Sequence, residues 1–516
     1  MPNSRYSAAL AGGLIYGSVK TFNLPMTAPA RLIAGALLCA LSAGCASLQV
    51  VDTVPLPPAK LEPVNSDTIS ADGYRLDSLR ASEQLPDLIV LVAMSGGGKR
   101  SAAFAYGVLK GMREEMIPTP HGPKRLLDEI DGISGVSGGS FTAAYYGLYR
   151  DKMFGQYEQD FLYSDTNSYI YGIYLLPWRW GWLTASSVGT NDYMESVYND
   201  TMFHGATFSD LAARGRPVIA IGATDISYGT PFIFTQEFFD VICSDLSQFP
   251  VARAVAASNG FPGLFSPVTL TNNAGDCGGR RPGWLTRVSD AQRRDPLSRL
   301  GTQANIIERY LDPTRTTYVH LADGGIADNL ALRVVGGMMQ NLAQSPDALR
   351  ERHYDRFRRI LVLSIDGQGA QDSSVARRKA VGGLFSLFGL VSGAQIDRYN
   401  FETLNTVSDQ LQDIVHAVKQ TRCARGAVID GAACDDVQGE LIHISLAAMP
   451  ESPERAELLA IPTGLTIDPH DVDLLVEAGR KAILGSAPLH QFLDTYPPAL
   501  PPEKPSVATR ARHGRT

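Results

Sequence analysis

Seven consecutive apolar residues, Leu88–Met94, run straight into Ser95-Gly96-Gly97-Gly98. Small and apolar residues then recur every three or four positions over 100–116. An uninterrupted apolar strand is one covered on both faces, as in the middle of a parallel sheet. The pattern returns once: Ile130–Val136, then Ser137-Gly138-Gly139, then a helical stretch over 140–149 rich in Ala and Tyr. Strand, glycine turn and helix, twice over, predict an α/β fold around a central, mostly parallel sheet. Further strands are expected at 217–223, 231–235, 317–321 and 360–365. No internal repeat appears.

The turns between these elements carry the chemistry. Gly135-Val136-Ser137-Gly138-Gly139 matches G-x-S-x-G at a strand-to-helix turn. Such a turn exposes the serine hydroxyl above the sheet edge and aims the positive end of the following helix at it. Gly96-Gly97-Gly98-Lys99-Arg100 frees several backbone N–H groups to converge on one point, which suits an oxyanion or a phosphate. The nucleotide readings of this loop fail. A Walker A loop needs Ser or Thr where Arg100 stands, and a dinucleotide fingerprint needs glycine where Ser101 stands. An oxyanion hole beside Ser137 fits better. A serine nucleophile also needs a base. His320-Leu321-Ala322-Asp323-Gly324-Gly325 supplies one, with Asp323 at the end of a strand and two glycines opening space around it. A carboxylate becomes a useful base once a low-dielectric site raises its pKa toward neutrality.

Gly-Gly-Gly-x-Arg, then Gly-x-Ser-x-Gly, then Asp-Gly-Gly, in this order, resembles the patatin-like phospholipase family. Residues 256–268, Ala-Ala-Ser-Asn-Gly-Phe-Pro-Gly-Leu-Phe-Ser-Pro-Val, resemble that family's Ala-Ser-x-x-x-Pro-x-x-Phe-x-Pro segment, and Asn329 also fits its pattern. The resemblance spans roughly 88–365. It implies a three-layer α/β/α patatin-like fold and a serine acyl hydrolase acting on lipid esters, with Ser137 as nucleophile and Asp323 as proton acceptor. The amides of Gly96, Gly97 and Gly98, with Arg100 nearby, would hold the oxyanion; Gly135, Gly139, Gly324 and Gly325 complete the motifs. It implies no histidine, no metal and no cofactor. The sequence departs from the pattern at Ser101, where glycine is usual, and in the 186 residues separating Ser137 from Asp323. An insertion over about 150–215 accounts for the latter. It contains Tyr169, Tyr171, Tyr174, Trp178, Trp180 and Trp182, either a lipid-facing surface or the packing of a helical subdomain. The ester could be a phospholipid, a lysophospholipid, a neutral glyceride or a small soluble one.

Two rival readings remain. An α/β-hydrolase would use a histidine after the serine, and His416, His443, His470 and His490 are available by order. A non-catalytic lipid-binding lipoprotein would need neither Ser137 nor Asp323.

The N-terminus reads as an address. Arg31 precedes an apolar run over 32–41 that is short for a membrane span and ends in small residues, a secretory pattern. Leu41-Ser42-Ala43-Gly44-Cys45 resembles a bacterial lipobox, which implies lipidation of Cys45, export and anchoring at the outer membrane or periplasmic face. Met26 is a candidate start. Four further cysteines, Cys243, Cys277, Cys423 and Cys434, suggest two disulfides in an exported chain. Neighbours in sequence would pair as Cys243–Cys277 and Cys423–Cys434, one of three connectivities. The formal net charge of −7 carries no basic stripe, which excludes a nucleic-acid partner and simple electrostatic docking to anionic membrane. The expected organisation is therefore a signal over 1–45, a proline-rich tether over 46–84, a catalytic domain over 85–450 with its insertion, a helical extension over 451–496 and a disordered tail over 497–516. The apolar segment 381–391 is either an interfacial lid or a core helix.

Overall fold

The computed structural model describes residues 50–495 except 65, 67, 77–87, 119–121, 176–188, 263, 370–376, 378–383 and 430. Met26, Cys45, the three insertion tryptophans and the tail lie outside the described residues. The core is a nine-stranded sheet. Its strands are β1 (Val50–Val51), β2 (Leu88–Met94), β3 (Ile130–Val136), β4 (Val218–Asp225), β5 (Thr230–Ile233), β6 (Val268–Thr271), β7 (Tyr318–Ala322), β8 (Arg359–Asp366) and β9 (Gln438–Ser445). Their spatial order is β1-β6-β7-β4-β3-β2-β8-β9, with β5 paired beside β4. β9, β8, β2, β3 and β4 run parallel to one another; β7 is antiparallel to both β4 and β6.

β2 and β3 are buried at every position, as their unbroken apolar character requires. β9 was not foreseen, because Glu440 and His443 interrupt its apolar pattern. It is the outermost strand on its side and only its second half is buried, so polar residues are tolerated there.

Helices on both faces make three layers. α1 (Gly98–Glu114) and α2 (Gly138–Tyr149) follow the two glycine turns. Over its described residues the insertion is mostly helical and includes a π-helical turn Glu158–Leu162 and α3 (Thr190–Tyr198). α4 (Val251–Ser258) precedes β6, α5 (Arg333–Ala343) follows β7, and α6 (Leu384–Cys423) is a single run of 40 residues. The segment 381–391 enters the start of α6, and most of its side chains lie outside the described residues. Among the described residues no helix is long and apolar enough to cross a membrane.

The expected tether over 46–84 is corrected over its described part. Val50 and Val51 add a parallel strand to β6. Leu56 and Ile69 pack on the Cys243–Cys277 disulfide. Arg75 is buried and donates to Asp240 Oδ2 at 2.7 Å. The prolines break regular structure, yet Val50 and Val51 ahead of them extend the sheet edge and Leu56 between them packs on the disulfide. The second disulfide joins Cys423 to Cys434.

The C-terminal region is helical, but it is not an appendage. α7 (Pro469–Leu484) lies directly on α1. A Cβ on Gly107 would stand 2.0 Å from the Val476 carbonyl oxygen, and one on Gly479 would stand 2.2 Å from that of Phe104. Each helix therefore presents a glycine to the other's backbone. Gly107→Ala is expected to destabilise the protein by about 1–3 kcal/mol, since the clash is with main chain that cannot rotate away. Gly155→Ala, whose Cβ would meet nothing within 4 Å, should be neutral or stabilise by up to about 1 kcal/mol. Paired chemical-denaturation curves check both; equal losses in the two variants would contradict the packing argument.

Candidate active site

Ser137 closes β3 and caps α2 with φ 46° and ψ −123°, a left-handed value that a non-glycine residue adopts only when its surroundings enforce it. The enforcement is visible. Gly138 lies so close to the first turn that a Cβ there would be 2.0 Å from the Gly98 carbonyl oxygen, and one on Gly139 would be 2.3 Å from that of Met94. The Ser137 N–H donates to Ser258 Oγ at 2.9 Å, and Ser258 passes its own hydrogen to the Gly222 carbonyl at 2.6 Å. The backbone at the serine is thus fixed from strands β2 and β4 and from the helices α1 and α4.

The strand offset of β7 brings Asp323 alongside. β7 is antiparallel to β4 and pairs with it only through Leu321 and Ala322, opposite Asp225 and Thr224. Its last residue therefore arrives at the sheet edge where β3 ends, since Val136 pairs with Gly222. Gly324 lies flat against this edge, where a Cβ would stand 2.3 Å from the Gly222 carbonyl oxygen. The Ser137 hydroxyl then has two acceptors, Asp323 Oδ2 at 3.0 Å and Asn259 Oδ1 at 3.2 Å. Asp323 Oδ1 accepts from the Gly325 N–H at 2.8 Å. Burial raises the Asp323 pKa to about 6, against the lowering effect of the Gly325 amide and the Ser137 hydroxyl. No cation is among the causes, so the carboxylate is made basic by desolvation.

The glycine loop is more specialised than the sequence suggested. The Gly96 N–H is not available to an oxyanion, because it donates to the Asn329 carbonyl at 2.8 Å. Gly96 instead supplies close approach: a Cβ there would stand 3.3 Å from Ser137 Cβ. Arg100 is also corrected. Its Nε donates to the Gly367 carbonyl at 2.8 Å and its Nη1 to that of Ile461 at 2.7 Å, so the buried guanidinium straps two later loops to the start of α1. Gly97 and Gly98, at φ 130° and 61°, keep N–H groups with no protein partner among the described residues. Ser101, in place of the usual glycine, hydrogen-bonds back to the Ser95 carbonyl at 2.8 Å. Lys99 reaches into the insertion, with Nζ donating to the carbonyl and hydroxyl of Ser164 and lying 4.9 Å from the Phe161 ring centre. Burial lowers its pKa to about 7, with Asp165 pulling upward.

No histidine ring is bonded to Ser137 among the described residues. His320 pairs with Thr269 Oγ1 at 2.9 Å and His443 with Ser364 Oγ at 3.0 Å. His416 pairs with Gln420, and His490 faces Glu115. His470 lies at the start of α7, its backbone N–H taken by Asp468. No group of three His, Cys, Asp or Glu side chains is placed to hold a metal among the described residues. Ser258 and Asn259 stand in the sequence pattern with no role attached, and Tyr198, whose hydroxyl lies 3.3 Å from Asn259 Nδ2, stands outside it. The 256–268 segment held the signal for the first two. Nothing in the order of residues marked Tyr198, which comes from the insertion.

Residues 92–335 match the model of the patatin-like phospholipase family. No curated protein matches the chain. Among solved structures, human GIVD cytosolic phospholipase A2 aligns with a TM-score of 0.38 and 12% identity over 91% of this chain and 67% of its own. The same human enzyme in complex with methyl gamma-linolenyl fluorophosphonate aligns at 0.29 and 13%, over 81% of this chain and 61% of its own.

The raised pKa of Asp323 has a consequence for stability. A carboxylate whose folded pKa lies near 6, above its unfolded value of about 3.9, contributes stability below the unfolded pKa. That contribution is lost as pH rises through 6. Asp323→Asn should therefore melt above wild type at pH 8, by up to about 3 kcal/mol, with the gap closing toward pH 4. Differential scanning calorimetry at the two pH values checks this; a gap independent of pH would mean the carboxylate is not desolvated.

Proposed function

We propose that this chain is a serine hydrolase that cleaves carboxylic esters of lipids, phospholipids foremost, through Ser137 and Asp323. The observation that carries the reading is the 3.0 Å hydrogen bond from the Ser137 hydroxyl to a buried carboxylate raised to about 6. The family match over 92–335 supports lipid esters as the substrate class. Ser137 Oγ attacks the ester carbonyl carbon as its proton passes to Asp323 Oδ2. The carbonyl oxygen gains the negative charge and is held by the Gly97 and Gly98 amides at the positive end of α1. Collapse of this intermediate breaks the ester C–O bond, and Asp323 returns the proton to the departing alcohol oxygen. Water then attacks the acyl-serine, giving Asp323 a proton, and the second collapse restores the serine and releases the fatty acid.

A dyad suffices because Asp323 serves as both base and acid, and a pKa near 6 suits both tasks near neutrality. The reaction requires ionised Asp323, so the rate should fall as pH drops below about 6. The lipobox-like residues 41–45 lie outside the described residues. They support anchoring through Cys45, which would hold the enzyme at a membrane face; radiolabelled palmitate incorporation, lost in Cys45→Ala, is the corresponding test.

Fluorophosphonate labelling of the purified protein tests the dyad. Wild type and His320→Ala should label. Ser137→Ala should not, and Asp323→Asn should lose at least about a hundredfold in rate, the lower end for a general base. No labelling of wild type would favour a lipid-binding protein; labelling that survives Ser137→Ala would place the nucleophile elsewhere.

A further inference from the structure

One hydrogen and two acceptors meet at Ser137. The hydroxyl stands 3.0 Å from Asp323 Oδ2 and 3.2 Å from Asn259 Oδ1, and it can satisfy only one of them fully. Asn259 is buried and its side-chain amide is engaged at both ends: Oδ1 faces the serine and Nδ2 donates to the Tyr198 hydroxyl at 3.3 Å. Tyr198 is buried on α3 of the insertion and packs edge-on to Phe141 of α2, 4.8 Å between ring centres. We infer that Asn259 is a positioning residue for the Ser137 proton, held with its oxygen toward the serine by Tyr198, and that it accepts the hydroxyl's hydrogen bond whenever Asp323 is itself protonated. The inference rests on the dyad reading above.

Donor and acceptor counts decide where the serine hydrogen lies. When Asp323 is ionised, it is the stronger acceptor, because a hydrogen bond to a carboxylate is charge-assisted. The serine hydrogen then lies on Asp323 and the Asn259 oxygen faces only the lone pairs of Oγ. When Asp323 gains a proton, Oδ2 becomes a donor and points its hydrogen at Ser137 Oγ. The serine hydrogen must leave that direction, and Asn259 Oδ1 is the acceptor waiting for it. A chain then runs from Asp323 through Ser137 and Asn259 to Tyr198, and the serine hydrogen keeps an acceptor in both protonation states. Asn259 thus favours the protonated dyad and disfavours the ionised one, and both effects hold the Asp323 pKa up.

Other titratable groups on the surrounding elements are engaged elsewhere. Asp225 of β4 accepts from the Tyr310 hydroxyl, and Asp328, just after Asp323, accepts from the Leu332 and Arg333 amides. Arg253 of α4 is paired with Glu195 of α3, and Asp192 of α3 accepts from the Gly189 amide. Lys99 and Arg100 of α1 are bonded to Ser164 and to the Gly367 and Ile461 carbonyls.

The test is the pH profile of kcat/KM on a soluble p-nitrophenyl ester, with the full chain, from pH 4.5 to 8. Asn259→Leu keeps the volume and the dryness of the site but removes the acceptor. The acid limb should move to lower pH by about half a unit to one unit, the worth of one net hydrogen bond. Tyr198→Phe frees the amide to turn its nitrogen toward Oγ and should move the limb in the same direction by less. A purely structural role for Asn259 predicts the opposite sign in the leucine variant, because added apolar surface only strengthens the desolvation of Asp323. A limb unmoved or raised in Asn259→Leu overturns the inference. Should that variant not fold, an unmoved limb in Tyr198→Phe overturns it alone. Asp323→Asn is run alongside: if its profile keeps the wild-type limb, the dyad reading has failed and not the role of Asn259.

Discussion

The approach of two glycine turns at the carboxyl end of the sheet is the constraint on which the site depends. Met94 pairs with Gly135, so the chain leaves β2 and β3 at the same level and both turns must share one small space. They fit only because Gly138 and Gly139 present hydrogens to the carbonyls of Gly98 and Met94. That packing drives Ser137 into its left-handed conformation, at a cost of about 1–3 kcal/mol. In exchange, the serine hydroxyl projects over the sheet edge beside the free amides at the start of α1. Every other feature is arranged around that fixed point. Arg100 ties the first turn to later loops, Ser258 pins the amide of Ser137, and the antiparallel offset of β7 delivers Asp323 from the far side.

Basicity at Asp323 comes from exclusion of water and not from a neighbouring charge. This separates it from a carboxylate beside an arginine, which would be held ionised and would be a poor base. The same exclusion makes the buried carboxylate a stability liability at neutral pH. A chain that buries it must recover the loss elsewhere, and the close contact of α7 with α1 is one place where it does so. The C-terminal helices therefore support the glycine loop from behind. Lys99 N–H and Arg100 Nη1 are bonded to carbonyls of residues 464 and 461, just ahead of α7.

Much of this was legible from residue order, and the limits have physical reasons. Leu88–Met94 and Ile130–Val136 were read to the residue, because strands buried on both faces leave no polar position to confuse the pattern. The glycine turns announced themselves because only glycine fits where backbone meets backbone. Residues 50–76 misled because proline and polar content suggest a tether, whereas a few apolar side chains decide whether a segment covers a sheet edge. Gly96 and Arg100 misled for a different reason. A motif shows which groups can donate, but not which are already taken, and the Asn329, Gly367 and Ile461 carbonyls that take them come from more than 200 residues downstream.

The insertion is joined to the chemistry at two points, and this bears on how a lipid could be sensed. Lys99 follows the two glycines whose amides stay free, and it bonds to Ser164 at the end of the π-helical turn. Tyr198 bonds to the asparagine that faces the serine. Phe141 lies between them, stacked on Phe161 at 4.4 Å and edge-on to Tyr198, so the two contacts share one aromatic cluster. Any shift of the insertion relative to the sheet would therefore be felt on both sides of Ser137, at the Gly97–Gly98 turn and at Asn259. Tyr169 and Tyr171, in the same insertion, are exposed. An exposed aromatic surface and a pair of contacts that reach the surroundings of Ser137 therefore belong to one subdomain, joined through the Phe141 cluster.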